Sequence, residues 1–272
     1  GSLHAGALGE KRFKKLVGMW TLGYRQMISG AAAMHALNEE EVSGAEQPSF
    51  VGVQLPQRSA VIPNGIFPSD FLESPDPQDF RLMIPELGQA PYVLFLSRLH
   101  EGKGCDLLGE AFGLVAQERP DMHLVAVGQD QGGASALVSV ARRMGFEDRL
   151  HLPGAIFDDR KHGAYLGASV YCLPSRHEGF SMAITEALAW SRPVVVTHEC
   201  HFPLVSEVGC GIETPLDAHA IAGGLLEILS DPERAETMGR RGKELVFNRF
   251  TWPHIAELTI DLYYSIMGDK NR

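Results

Sequence analysis

The sequence predicts an α/β fold in which a parallel sheet carries helices on both faces. Short apolar runs of strand length alternate with longer segments that have helical character, and this alternation is typical of βαβ units. The clearest unit has an apolar run over 169–173, a polar turn, a helix from Ser181 to Trp190 and a second apolar run over 193–197. Because the strands of such a unit run parallel, ligands are expected outside their carboxyl ends.

Composition limits the classes of protein to consider. The 272 residues are 44% apolar and 21% charged, which suits one or two globular α/β units. The formal net charge of −10 argues against a nucleic-acid partner, although it does not argue against a nucleotide ligand, since local cations decide that binding. No run reaches the roughly 18 apolar residues of a membrane span.

The cysteines and histidines predict neither a disulfide framework nor a metal site. The four cysteines have no CxxC spacing, so we expect reduced, mostly buried thiols in a cytoplasmic protein. His198, Cys200 and His201 lie close together in the sequence but lack ligand spacing on a defined scaffold. We therefore expect no metal.

The turn after the first central strand combines two carboxylates with the start of a helix. Glu178 lies on the turn, and Glu186 follows eight positions later, on the second turn of the helix. The backbone amides between them belong to Gly179, Phe180, Ser181 and Met182. Because a helix N-terminus favours anions, two carboxylates around free N–H donors suit a ligand with hydroxyls at both ends and phosphate between them. A nucleotide-sugar is such a ligand.

A second strand-to-helix loop, over 97–104, carries two cations and two glycines. Arg98 and Lys103 could neutralise a diphosphate, and Gly102 and Gly104 would let the backbone approach it at the start of the helix predicted from Cys105. The loop is not a Walker loop, which needs Gly-x4-Gly-Lys-Ser/Thr. Taken alone, it is equally compatible with two solvated charges.

The remaining segments give a provisional order of elements. A basic amphipathic helix over 10–28 could lie on an anionic membrane surface or pack on a neighbour. A proline-containing stretch over 67–91 is interpreted as linker-like. Further strands and helices are predicted at 59–62, 92–97, 105–118, 123–127, 133–144, 149–152, 216–230, 231–248 and 251–267, and the loop over 154–161 leads into a helix that ends near Gly167.

The motifs resemble those of one enzyme family over roughly residues 29–267. The segment from Glu178 to Glu186 is similar to the E-x7-E motif of retaining glycosyltransferases of family 4, which have the GT-B fold. Arg98 and Lys103 match the spacing of the family's Arg-x4-Lys. The segment 199–211 is similar to the family's Pro-Glu-Val segment, although Leu204 stands where an acid is usual.

This resemblance implies a Rossmann-like donor-binding domain, the C-terminal half of a GT-B fold. Residues 1–66 would be a remnant of the N-terminal acceptor domain and the interdomain passage, with the rest of that domain cut away. Residues 67–272 would form the nucleotide-sugar domain, and the last helix, 251–267, would cross back toward the N-terminal domain. The truncated chain would bind donor without transferring sugar.

The resemblance also implies roles for individual residues. Arg98 and Lys103 would hold the phosphates of the donor and stabilise the leaving diphosphate, so they count as catalytic. Glu178, also catalytic, would orient sugar hydroxyls near the reacting carbon, and Glu186 would accept hydrogen bonds from the ribose hydroxyls. The amides of residues 179–182 complete the donor site.

The loop over 154–161 flanks the nucleobase in relatives, so Ile156 and Lys161 are further donor-binding candidates. The residues alone also allow a core contact for Ile156 and a solvated cation for Lys161.

The implied partners are a UDP-, GDP- or ADP-linked sugar donor and a sugar or lipid-linked acceptor, with no further cofactor. The expected setting is polysaccharide biosynthesis in the cytoplasm, with peripheral contact at the inner face of the membrane left open. Two alternatives stay open: a nucleotide-sugar epimerase or another GT-B enzyme with the same donor site, and a binding module that has lost transfer.

Overall fold

The computed structural model describes residues 24–46, 56 and 58–269. Most of the helix predicted over 10–28 therefore lies outside the described residues. No helix in the described ranges is both long enough and apolar enough to cross a bilayer.

The elements alternate along most of the chain. The helices are α1 (Tyr24–Ser29), α2 (Glu39–Glu46), α3 (Pro77–Arg81), α4 (Cys105–Glu118), α5 (Gly133–Met144), α6 (Arg160–Gly167), α7 (Met182–Ala189), α8 (Leu204–Glu207), α9 (Ala218–Ser230), α10 (Pro232–Arg249) and α11 (Trp252–Asp269). The strands are β1 (Met34–Ala36), β2 (Ser59–Val61), β3 (Tyr92–Leu96), β4 (His123–Val127), β5 (Leu150–Gly154), β6 (Val170–Leu173), β7 (Val194–Thr197) and β8 (Gly211–Thr214).

The chain divides into two compact units. One comprises the chain up to Gly65 together with the segment from Trp252 onward, and the other is Ile66–Thr251. In the first unit, β1 and β2 form a short parallel pair. Asn38 caps α2, because its Oδ1 accepts a hydrogen bond of 2.7 Å from the backbone N–H of Glu41.

The second unit is built on a six-stranded parallel sheet with strand order β5-β4-β3-β6-β7-β8. On one face α4 packs against α5 and α9, and on the other α3 packs against α6 and α7 against α10. The predicted α/β fold is thereby confirmed. The strand order reverses between β3 and β6, and this reversal places a crevice at the carboxyl ends of those two strands.

The central strands are covered on both faces. Every residue of β6 and β7 is buried, which explains why their sequences are continuous apolar runs without alternation. Large aromatic side chains fill the core above and below the sheet, among them Tyr92, Phe95 and Phe112. The buried hydroxyl of Tyr92 donates a hydrogen bond of 2.6 Å to the carbonyl of Ala164, so its polar end is satisfied.

The stretch over 67–91 is folded, so the prediction of a linker was wrong. Besides α3, it contains two short 3-10 helices, Pro68–Phe71 and Pro85–Leu87. The side chains of Phe71, Phe80 and Leu87 are buried in the core of the second unit. Three of its prolines, Pro68, Pro77 and Pro85, stand at first helical positions, where a missing N–H costs nothing.

Side-chain caps mark the starts of α7, α9 and α10. Ser181, Asp217 and Asp231 each accept a hydrogen bond from a backbone N–H three residues later. The strand predicted to end before Pro153 instead continues through Gly154. Pairing with β4 carries it on, because Gly154 lies opposite Val127.

Candidate active site

Two predicted loops meet where the strand order reverses. The loop over 97–104 follows β3, and the loop over 174–181 follows β6, the neighbouring strand. Arg98, Lys103 and Glu178 therefore lie at the same edge of the sheet, as parallel pairing requires.

Lys103 and Glu178 form an ion pair between these loops. The Nζ of Lys103 lies 2.5 Å from Oε1 of Glu178, and the two side chains are 17% and 9% exposed. An unpaired carboxylate at this depth would be costly, so Lys103 makes the buried position of Glu178 tolerable. The sequence placed both residues in one site but did not predict their contact.

Lys161 and Glu186 form a second pair. The Nζ of Lys161 lies 2.8 Å from Oε1 of Glu186, and the hydroxyl of Tyr165 donates to Oε2 at 3.0 Å. Burial and the neighbouring Glu186 raise the pKa of Tyr165 well above its usual value, so the phenol stays a donor. Sequence reasoning missed Tyr165, although its place four residues after Lys161 on α6 puts both on one helix face.

Arg98 and Ile156 are placed differently from these pairs. Arg98 is exposed, and its Nη1 lies 3.5 Å from Oε1 of Gln131, in the loop after β4. Among the described residues it joins neither ion pair. Ile156 is 8% exposed and belongs to the core of the second unit, so its side chain is a core contact.

Arg176 holds the two loops together, and sequence reasoning missed it. Its guanidinium binds the carboxylate of Asp106 through two hydrogen bonds of 2.8 and 2.7 Å and also donates to the carbonyl of Glu101 at 2.7 Å. Its backbone N–H donates to the carbonyl of Gly102 at 2.9 Å. Hydrogen bonds from Arg176 lower the pKa of Asp106. We call this set of contacts the Arg176 clamp.

Gly104 is needed for the same loop-to-loop contact. Its φ of 72° lies in the left-handed region, and a Cβ there would fall 1.9 Å from the carbonyl oxygen of Pro174. The glycine thus lets the loop after β3 pass directly against the end of β6. This packing accounts for Gly104 without reference to a ligand.

The residues whose backbone amides are the predicted donors, 179–182, lie at the start of α7. Ser181 is the N-cap, and its Oγ accepts a hydrogen bond of 3.5 Å from the N–H of Ile184. The first turn of a helix leaves N–H groups without intrahelical partners, so Met182 presents a positive helix end. The ring of Phe180 lies 5.7 Å from that of Phe202 and 5.5 Å from that of Phe250, and these contacts anchor the loop.

The loop after β7 supports the site from the other side. The backbone N–H of Glu178 donates to the carbonyl of Glu199 at 3.0 Å, and the hydroxyl of Thr197 donates to the carbonyl of Ser175 at 2.6 Å. In the described part of the chain, Oε2 of Glu199 is buried without a hydrogen-bond partner. Sequence reasoning did not single out Glu199.

The cysteine and histidine segment contributes packing. Cys200 is buried, its Sγ lies 3.4 Å from the carbonyl of Leu173, and burial raises its pKa to about 11. His201 stacks edge-on against His177. Within the described ranges, no group of three or more potential ligands could hold a metal ion.

The sheet order and the paired loops define a Rossmann-like domain of the GT-B type. The solved structure of sucrose-phosphate synthase from Thermosynechococcus elongatus superposes with a TM-score of 0.75 at 25% identity, over 91% of this chain and 61% of that one. An Anabaena protein solved with UDP and glucose has the same fold, with a TM-score of 0.69 at 20% identity, over 87% of this chain and 63% of that one.

Sequence comparison gives the family. The sequence model of glycosyl transferases group 1 matches residues 81–245, more than half of the chain. The chain therefore belongs to the glycosyl transferases group 1 family.

Two curated relatives show the range of named activities. Mannosylfructose-phosphate synthase of Agrobacterium fabrum is 29% identical over 62% of this chain and 39% of its own length. D-inositol 3-phosphate glycosyltransferase of Kineococcus radiotolerans is 25% identical over 92% of this chain and 60% of its own length. The chain thus spans about half the length of these relatives.

Proposed function

We propose that this chain is the donor-binding part of a retaining glycosyltransferase of family 4. The enzyme would move a sugar from a UDP-, GDP- or ADP-linked donor to an acceptor hydroxyl. The observation that carries the proposal is the pair of carboxylates, Glu178 and Glu186, each held by a lysine on either side of the start of α7.

The diphosphate would lie between the loop after β3 and the start of α7. Arg98 and Lys103 would supply positive charge on the first loop, and the amides of residues 179–182 would supply backbone donors. Charge that develops on the diphosphate as the glycosidic bond breaks would be stabilised by these fixed donors and cations. The Lys103–Glu178 pair supports this arrangement, because it sets the cation beside the carboxylate that would meet the sugar.

Glu178 would accept hydrogen bonds from the transferred sugar, close to the reacting carbon. Glu186 would accept hydrogen bonds from the ribose hydroxyls. Lys161 and Tyr165 support that role for Glu186, since their hydrogen bonds fix both of its oxygens in direction. Lys161 would flank the nucleobase, whereas the side chain of Ile156, the other candidate for that place, is a core contact.

The partners follow from the same assignment. The donor is a nucleotide-sugar, and solved relatives with the same fold contain UDP with glucose and UDP-glucose. The acceptor would be a sugar or a lipid-linked sugar, and peripheral contact with a membrane belongs to this proposal. None of the assigned roles requires a metal or a further cofactor.

Isothermal titration of the chain with UDP, GDP and ADP tests the proposal. We expect at least one diphosphate to bind, and Glu186→Gln to weaken that binding. The matched control is Glu110→Gln, which changes an exposed glutamate on α4 that pairs with Arg143 away from both loops. If none of the three diphosphates bound at millimolar concentration, that result would contradict the assignment.

A further inference from the structure

A second cavity opens at the opposite edge of the sheet. It has a volume of about 520 Å³ and is bordered by Pro91, Ser169 and Pro193. These residues immediately precede β3, β6 and β7, so the cavity lies at the amino ends of the strands whose carboxyl ends carry the candidate active site. Strands of four or five residues separate the two edges by about 13–17 Å, at roughly 3.3 Å per residue.

Three guanidinium groups line this cavity, and they come from three different segments. Arg119 follows α4, Arg192 precedes β7 and Arg240 lies on α10. The carboxylate that lines the cavity is that of Glu236. Positive charge therefore exceeds negative charge at the wall, in a protein whose formal net charge is −10.

Arg192 is the fixed centre of this group. It is half-buried, and its Nε and Nη1 each donate a hydrogen bond of 3.1 Å to the carbonyls of Trp190 and Ala168. Burial lowers the pKa of its guanidinium. Among the described residues, no ion pair joins it to a carboxylate, so its charge is held in place without a counter-charge.

The other two arginines differ in freedom. The guanidinium of Arg119 is oriented by the carbonyl of Leu229 at 2.9 Å and by the carboxylate of Asp121. Arg240 is exposed at the rim, and its Nη2 lies 3.3 Å from the hydroxyl of Thr237. The side chain of Arg119 is thus held in place, whereas that of Arg240 can change its conformation when a ligand binds.

The wall beside Arg192 has an unusual backbone. Ser191 has a φ of 56°, a left-handed conformation that costs energy for a residue other than glycine. The turn is held by α10, since a Cβ on Gly239 would fall 2.1 Å from the carbonyl oxygen of Ser191. Because the surrounding structure maintains this strained conformation, the side chains of Ser191 and Arg192 are oriented before a ligand binds.

The remaining lining residues suit the organic part of a small ligand. Met122 and Ile228 are buried and form apolar wall, and Ser169 and Ser191 add two hydroxyls. The volume falls within the range of about 300–1,000 Å³ that is typical of small-molecule sites. Guanidinium groups match the geometry of phosphate oxygens.

We infer that this cavity binds a small phosphomonoester of about the size of a hexose phosphate. The phosphate would lie against Arg192 and Arg240, and the hydroxyl-bearing body would lie over the apolar wall. The inference does not depend on the proposed transferase function, because the two sites occupy opposite edges of the sheet.

Isothermal titration in a phosphate-free buffer of low ionic strength tests this site, with glucose 6-phosphate as the probe. We expect binding at millimolar concentration or tighter, and none for glucose. Arg240→Ala should weaken binding about tenfold, since it removes a charge-assisted hydrogen bond. Arg192→Lys, which keeps the charge but loses the planar fork, should have a similar effect.

Two control variants test whether the phosphate binds in this cavity and nowhere else on the protein. Arg142→Ala removes an exposed arginine that pairs with Glu147 on another surface, and it should leave binding unchanged. Lys103→Ala should also retain binding of glucose 6-phosphate, because it alters the other edge of the sheet. The inference would be overturned if glucose 6-phosphate did not bind or if glucose bound equally well. It would also be overturned if Arg240→Ala left binding unaffected or if Lys103→Ala abolished it.

Discussion

At the scale of single residues, the candidate active site is electrically balanced within itself. Lys103 neutralises Glu178, and Lys161 neutralises Glu186. Arg98 and the positive end of α7 stand outside these pairs, so in the proposed function they would provide the uncompensated attraction for an anion. Lys103 would still contribute to phosphate binding in the proposed function, because an ammonium has three donors and can hold a carboxylate and a phosphate together.

The first prediction concerns these two cations. Arg98→Ala and Lys103→Ala should each weaken nucleoside diphosphate binding about tenfold to a hundredfold, since a charge-assisted hydrogen bond contributes about 1.5–3 kcal/mol. Binding of the corresponding nucleoside should change far less. Titration of both ligands against each variant measures the difference, and equal losses would show that the variants only damage the fold.

A second prediction concerns Tyr165, which fixes the direction of Glu186. Tyr165→Phe removes one hydrogen bond worth about 0.5–1.5 kcal/mol, so nucleoside affinity should fall roughly twofold to tenfold. Tyr171→Phe is the matched control, because that buried hydroxyl donates to the carbonyl of Leu96 at 3.2 Å and not to Glu186. Titration with the nucleoside should separate the two variants; similar affinities in both would exclude the positioning role.

At the scale of elements, the Arg176 clamp holds the loops after β3 and β6 in a fixed relative position. The loop after β3 carries the cations, the loop after β6 carries Glu178, and Arg176 contacts both. Since Arg176 and Asp106 are partly exposed, their ion pair adds little to global stability. Its effect should therefore appear in ligand binding, which depends on the relative placement of the loops.

The third prediction concerns the Arg176 clamp. Arg176→Ala should lower nucleoside diphosphate affinity about tenfold while the melting temperature changes little, because the loops lose their fixed spacing. The double variant Arg176→Asp with Asp106→Arg should recover part of the affinity. Arg143→Ala breaks an exposed pair with Glu110 and serves as the control. A fall in melting temperature without a loss of affinity would assign Arg176 to stability alone.

Local signals explain which elements the sequence could predict. The buried strands β6 and β7 are apolar runs, and Ser181, Asp217 and Asp231 mark helix starts within one turn. Such signals act between neighbours in the chain, so the order of elements and the two loops were predictable.

Contacts between distant residues were not predictable in this way. Lys103 and Glu178 are 75 positions apart, and Arg176 and Asp106 are 70 apart, so only the pairing of β3 with β6 brings them together. The prediction of a linker over 67–91 was wrong for a related reason. Its prolines suggested a linker, whereas Phe71 and Phe80 are buried by partners that lie far along the chain, such as Trp190.

At the scale of the whole molecule, three histidines couple stability to pH. His123 and His151 stack at the start of β4 and β5, and their Nδ1 and Nε2 atoms lie 2.8 Å apart. The Nδ1 of His162 accepts a hydrogen bond of 2.9 Å from the indole N–H of Trp190, which requires an unprotonated nitrogen there. Burial, the largest cause in each case, lowers the pKa of all three below 6.5.

The sign of the effect follows from proton binding. Below pH 6.5 the unfolded chain takes up protons on these residues more readily than the folded chain does, so acid favours unfolding. The free energy of unfolding should therefore rise with pH up to about 6.5 and, for these groups, stay level above it. Urea titrations between pH 5 and 8 measure this dependence.

His162→Gln should flatten part of the slope of unfolding free energy against pH, whereas His219→Gln, on the solvent-facing side of α9, should leave that slope unchanged. A slope of the opposite sign, or one insensitive to His162→Gln, would show that other groups control the acid response.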